Sequence, residues 1–149
     1  MSTVACFYVV GTADVPALAA AGPAGLAAAL RTGWQEIDDE FFWPGEHLLF
    51  VIEQLWHADQ ISLFSAAFPQ EERLLNDDSR VTFLVGLEHR ELLPRLLPSI
   101  HDSSPLTMGL VAKGVRPAEA RLASRDAVTL LYQQIDAIGQ GEILVIHVS

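Results

Sequence analysis

Glu53 and His57 stand one helical turn apart in the stretch EHLLFVIEQLWHAD, residues 46–59. A carboxylate and an imidazole at that spacing can share a proton or a metal ion. At the helical rotation per residue, Glu46, Glu53 and His57 fall within about 40° of one another. Leu48, Ile52 and Leu55 fall on the opposite side. Glu46 lies roughly 10 Å along the axis from Glu53, too far to join the same ion on a straight helix. The same pattern also describes the solvated face of an amphipathic helix carrying a weak Glu–His pair.

Other reactive types are scattered. His89 lies in LEHRE, His101 follows a leucine-rich stretch, and His147 sits in an apolar run near the end of the chain, where it reads as a core or sheet-face residue. No zinc-type spacing of His and Cys appears. Cys6 is the one cysteine. It sits in the apolar stretch VACFYVV and reads as a buried, inert thiol. No partner for a Cys–His hydrolase stands at a recognisable spacing, and VVGTADVP is far from a phosphate-binding glycine loop. No metal and no cofactor is expected.

A second pattern is electrostatic. EIDDEFFWPGEH, residues 36–47, holds five acids and three aromatics and no Lys or Arg. The basic-free run extends over 41 residues, 32 to 72, with nine acids, eight of the twelve aromatics and all three tryptophans, Trp34, Trp43 and Trp56. Interfaces favour Trp and Phe as anchors, and a negative field steers a basic partner. Trp34, Asp38, Asp39, Glu40, Phe42 and Trp43 are therefore the expected partner-binding residues. The competing reading puts Phe50, Trp56, Phe64 and Phe68 in the core and leaves the acids to solubility.

Hydrophobic periodicity supplies the frame. VACFYVV (residues 4–10), RVTFLVG (80–86) and EILVIHVS (142–149) read as strands. The last is apolar on both faces and should be central in a covered sheet. Asp14 is expected to cap a helix that stops near Gly22, and Pro23 to open a second one through about Arg31. Residues 46–59 read as a helix. HRELLPRLLPSI has helical spacing interrupted by Pro94. QEERLLNDDS reads as a turn, ISLFSAAF fits strand or helix, and SPLTMGLVAKG suggests a short strand. SRDAVTLLYQQIDAIG reads as an amphipathic helix capped by Ser124, with Val128, Leu131, Ile135 and Ile138 inward and Gly139 as its stop.

The order of these elements resembles the small bacterial YfbM-like family. The segments that carry the resemblance are VACFYVV, EHLLFVIEQLWHAD, RVTFLVGLEHRELLPRLL and AVTLLYQQIDAIGQGEILVIHVS. The resemblance spans most of the chain. It implies the same succession of strands and helices and carries no chemistry.

The expected fold is α/β or α+β: one domain over residues 1–149, with helices packed on a mixed β-sheet that includes the first and last strands. Half of the 149 residues are apolar, a globular composition. The net charge of −10, with nine Lys and Arg in all, argues against direct nucleic-acid or anionic-membrane binding. ALAAAGPAGLAAAL is apolar but interrupted by Gly22-Pro23-Ala24-Gly25, and no membrane span is expected. One cysteine and a poor leader point to the cytoplasm. The leading functional expectation is a non-enzymatic binding module for a basic protein, such as an immunity or inhibitory factor. The rivals are a small-ligand protein or enzyme with a pocket near Glu53 and His57, and a self-associating domain.

Overall fold

The computed structural model describes residues 3–37 and 41–149. Three strands form one sheet: β1 (Ala5–Gly11), β2 (Val81–Val85) and β3 (Glu142–Val148). Their order is β1-β3-β2, so the last strand lies between the other two. The first and last strands share a sheet, as their composition predicts. The expectation of a mixed sheet is corrected, because both pairings are antiparallel. A parallel neighbour was expected from the alternation of strands and helices. Here β3 instead runs back between β1 and β2 and opposes both.

Both faces of the sheet are covered, which explains why β3 shows no polar alternation. Phe7, Phe83, Val85, Leu144 and Ile146 belong to the larger core. Tyr8, Val10, Leu84, Ile143 and Val145 belong to a second core on the opposite face. The larger core is closed by α2 (Gly45–Asp59), α4 (Leu93–Leu96), α5 (Ser104–Ala112) and α6 (Pro117–Asp136). The second is closed by α1 (Val15–Gly33) and by Leu75 and Phe68 at the ends of α3 (Pro69–Leu74).

Helix α1 kinks at Gly22, whose φ of 72° is open to glycine and strained for other residues. The two expected helices are thus two arms of one kinked run. By length and composition the run Thr12–Gly33 could cross a membrane. In the fold, its Val15, Leu18, Ala19, Leu26 and Leu30 are buried against the sheet. Asp14 stands at the N-cap position of α1, as expected, but its side chain makes no capping hydrogen bond to that helix. It sits in a 3-10 turn, Thr12–Asp14, and its Oδ2 accepts the Gly11 N–H at 3.1 Å.

Three other segments differ from expectation. SPLTMGLVAKG is helical (α5), with Pro105 in its first turn and Leu106 and Leu110 buried. QEERLLNDDS contributes the short helix α3. Helix α6 begins at Pro117, seven residues before the expected cap. Ser124 lies buried in mid-helix and donates Oγ–H to the Ala120 carbonyl at 2.7 Å. Small buried residues (Ala120, Ala123) line that added length. They pack without giving the Leu/Ile periodicity that marks a helix in sequence. Pro94 stands in the first turn of α4, after a 3-10 stretch Leu87–Leu92.

Val128, Leu131 and Ile135 are buried on α6, and Ile138 just beyond it. Leu131→Ala should cost about 2–5 kcal/mol in a urea melt, the range for truncating a packed leucine. A loss under roughly 0.5 kcal/mol would show that α6 does not hold the core.

Candidate functional site

Helix α2 presents its polar face beside β2, and the two border a groove of about 490 Å³. Leu49, Ile52, Leu63 and Phe83 are among its apolar lining residues, and Glu53, Trp56, His57 and Phe64 lie on its exposed rim. Glu72, Asn76, Val81 and Thr82 complete the lining. No Lys or Arg lines it among the described residues. The Glu53–His57 pair is real but open to water. Its atoms are 3.8 Å apart, with the side chains 62% and 61% exposed. At that exposure water screens both groups, so the pair is weakly coupled. No group of three metal-ligating side chains occurs among the described residues.

The aromatic rim is the more distinctive feature. Trp56 is 39% exposed and Phe64 56% exposed. Their rings meet edge-to-face at 6.2 Å, and Phe64 continues to Phe83 at 6.1 Å. The competing expectation that Trp56 and Phe64 are core residues is corrected. The periodicity that places Leu48, Val51, Ile52 and Leu55 inward leaves Trp56 beside them at the boundary.

Phe64 is held in place by buried polar groups. The stretch 60–68 has no regular secondary structure, so its backbone needs other partners. Gln60 turns the chain in the left-handed region (φ 58°), and Ile61 N–H donates to Leu55 O. His89 is buried. Its Nδ1 accepts the Gly86 N–H at 3.0 Å, and its Nε2–H donates to Phe64 O at 2.9 Å. Ser65 N–H donates to both Glu72 oxygens at 3.1 and 3.2 Å.

Glu72 also closes the outer edge of β2, accepting the Leu84 N–H at 2.8 Å. Asn76, one turn on, accepts the Thr82 N–H at 2.8 Å and donates to Thr82 O at 3.1 Å. Two side chains thus take the place of a fourth strand. Burial raises the Glu72 pKa from its ordinary 4.5, opposed by the hydrogen bonds from Leu84 and Ser65.

The segment 34–43 divides among several places. Trp34 is half-buried against the α1 core. Glu36 bridges to Tyr8, and Ile37 N–H donates to Phe7 O at 2.9 Å, which extends the β1 edge. Phe41 is buried, whereas Phe42 is 88% exposed. Trp43 is half-buried, and its Nε1–H donates to Asp126 Oδ2 on α6 at 2.9 Å. Asp38, Asp39 and Glu40 lie outside the described residues. A Cβ on Gly45 would stand 2.8 Å from Val148 and 3.1 Å from the Ala5 nitrogen, so the chain after Pro44 packs tightly on the β1–β3 end. Among the described residues, the segment offers Phe42 outward and uses Trp34, Phe41 and Trp43 in packing.

No family model, curated protein or solved structure matches the chain.

Two outcomes are expected. Glu53→Gln or His57→Ala should change stability by no more than about 0.5 kcal/mol, because the pair is solvated; a larger loss in denaturant melts would assign it a structural role. Glu72→Ala should cost about 1–3 kcal/mol for each of the two buried donors it leaves unpaired. Glu72 also carries a sign in pH. Its folded pKa is raised, so its titration favours the folded state below 4.5, and that contribution is lost as pH rises through the folded value. Across that window, thermal melts should show the gap between wild type and Glu72→Gln moving in the variant's favour. An unchanged gap would mean Glu72 is not buried as a carboxylate.

Proposed function

We propose that this chain is an acidic binding module that docks a basic protein segment in the α2–β2 groove. One observation carries the reading: the exposed Trp56–Phe64 pair stands over an apolar groove whose charged lining residues are all carboxylates. Glu53 stands at its rim, and Glu46 and Asp59 lie on the same helix. An amphipathic segment with apolar anchors between Lys or Arg residues complements that surface in shape and charge. Phe42, with Asp38, Asp39 and Glu40 next to it in sequence, offers a second contact of the same character. An inhibitory or immunity factor acting on a basic enzyme needs no chemistry beyond such a surface. The YfbM-like resemblance adds no functional residue, so the reading rests on the surface. A cytoplasmic setting belongs to this proposal.

A second reading draws on the groove's volume, which falls within the usual range for small-molecule sites. In that case a compact apolar ligand occupies the space under Trp56 without any basic partner.

The test is binding of a fluorescent amphipathic peptide, with Leu and Phe anchors flanked by Lys, at low and high salt. Saturable binding that weakens with salt is expected. Trp56→Ala should weaken it by about 2 kcal/mol through the off-rate, as expected of an anchor. Glu53→Lys, or reversal of Asp38 and Asp39, should slow association and flatten its salt dependence. Binding indifferent to salt and to Trp56→Ala would overturn the proposal. Saturable uptake of an uncharged apolar dye without peptide binding would favour the small-ligand reading. Concentration-dependent dimers abolished by Trp56→Ala, again without peptide binding, would assign the groove to self-association.

A further inference from the structure

On the α1 side of the sheet, one row of side chains crosses all three strands. Cys6 on β1 is opposite His147 on β3, and His147 is opposite Thr82 on β2. Residues directly opposite in antiparallel strands share a face, with Cβ atoms about 4.5–5.5 Å apart. Above the β1–β3 half of this row is a cavity of about 300 Å³, lined by Val4, Cys6, Tyr8, Ala27, Leu30, Arg31, His147 and Ser149. Val4 and Arg31 are exposed at its border and Cys6 is half-buried, so small solutes can reach it.

His147 is only 2% exposed, yet its Nε2 has no hydrogen-bond partner among the described residues. Its Nδ1 is 2.9 Å from Thr82 Oγ1, and that hydroxyl is 3.3 Å from Leu75 O. A carbonyl oxygen only accepts. A Thr82 hydroxyl serving both partners therefore donates to Leu75 and accepts from Nδ1–H. The ring proton is then on Nδ1, and Nε2 carries a bare lone pair. With Nδ1 turned toward β2, the Cδ2–Nε2 edge turns toward β1, where Cys6 and the cavity lie.

We propose that this cavity is a thiol-exchange site, in which Cys6 is the nucleophile, His147 its general base and Thr82 the positioning residue, and that it accepts small disulfides bearing a carboxylate. The carboxylate preference comes from Arg31, the one Lys or Arg among the described lining residues. The step balances. His147 Nε2 takes the Cys6 proton, and the thiolate attacks one sulfur of the disulfide. A new S–S bond forms as the old one breaks, and the proton on His147 passes to the departing thiolate or, where that thiol is too acidic to hold it, to solvent. The products are a mixed disulfide on Cys6 and one small thiol, with the disulfide itself as the oxidant. Burial lowers the His147 pKa, with Arg80 adding to the effect, so the ring is in its basic form at neutral pH. Hydrogen bonds between base and nucleophile are commonly long before substrate binds.

The experiment follows release of the coloured thiolate from 5,5′-dithiobis(2-nitrobenzoate), a disulfide with two carboxylates, by the intact chain between pH 5 and 9. The ionisable groups around the reaction are Tyr8 on β1 and Arg31 on α1, with Arg80 and Asp77 acting on His147. The folded chain should react faster at pH 7 than the urea-unfolded chain, whose thiol ionises near 8.5. His147→Gln should slow it by roughly 10²-fold, the low end for a general base, and return the profile to that of an ordinary thiol. Thr82→Val should shift the same profile part of the way. Arg31→Glu should reverse the preference for this anionic disulfide over the cationic disulfide cystamine. Equal rates in wild type and His147→Gln would overturn the proposal. So would a folded wild-type thiol that reacts no faster than the unfolded one, a comparison that needs no variant to fold.

Discussion

Insertion of β3 between β1 and β2 is the constraint on which the other features rest. It joins the two ends of the chain, and the ladder is extended by reciprocal hydrogen bonds between Val4 and Ser149. Until this pairing forms, neither β1 nor β2 has a strand neighbour among the described residues, because β3 is the one strand with which each of them pairs there. The contacts are among the least local the chain can make, so the loop-closure cost is met before the sheet stabilises anything. In return β3 is buried on both faces and supplies apolar side chains to two cores at once. Register follows from the same insertion. A slip of one residue would turn Leu144 and Ile146 to the wrong face and send His147 the opposite way, into the larger core.

A three-stranded sheet has two edges, and their treatment shapes the surface. The β1 edge is met by Glu36 and Ile37, a short addition of chain. The β2 edge is met by side chains, with Glu72 and Asn76 bonding the Thr82 and Leu84 amides that face outward. Because this covering is side chain and not strand, the space between α2 and β2 stays open as a groove. The buried carboxylate that satisfies the edge also ties down the loop carrying Phe64. Edge protection and the aromatic rim are therefore parts of one arrangement.

Sequence periodicity revealed the features that depend on large apolar side chains at regular spacing. The three strands, the central position of β3, helix α2 and the inward stripe of α6 are of this kind. It misread segments where small residues do the packing, as in the first turns of α6. It also misread segments held by polar groups, as around Phe64. The acid-and-aromatic run was visible as composition, but whether each ring faces in or out depended on tertiary partners. Asp126, 83 positions away, decides the orientation of the Trp43 indole. In sequence Cys6 and His147 stand out only as residue types, and the apolar strand around Cys6 suggests an inert thiol. Nothing in a sequence separation of 141 residues marks them as neighbours; only the register of β1 on β3 does.

Thr82 belongs to both sides of this architecture, through different atoms. Its amide and carbonyl bond to Asn76 at the wall of the groove, while its hydroxyl contacts His147 under the cavity. Replacing the hydroxyl by a methyl group leaves the backbone pair with Asn76 intact and removes only the contact to the imidazole. Val and Thr have nearly the same shape, but a buried hydroxyl makes the exchange chemically unequal. His147 Nδ1–H then loses its acceptor, and a ring with no partner at Nε2 among the described residues is left with no hydrogen bond from them to fix its tautomer. Substituting Asn76 does the reverse, exposing the β2 edge while the hydroxyl remains beside the ring. The two regions can thus be disturbed separately even though they meet at one residue, because in a sheet the backbone lies in the plane and the side chain stands perpendicular to it.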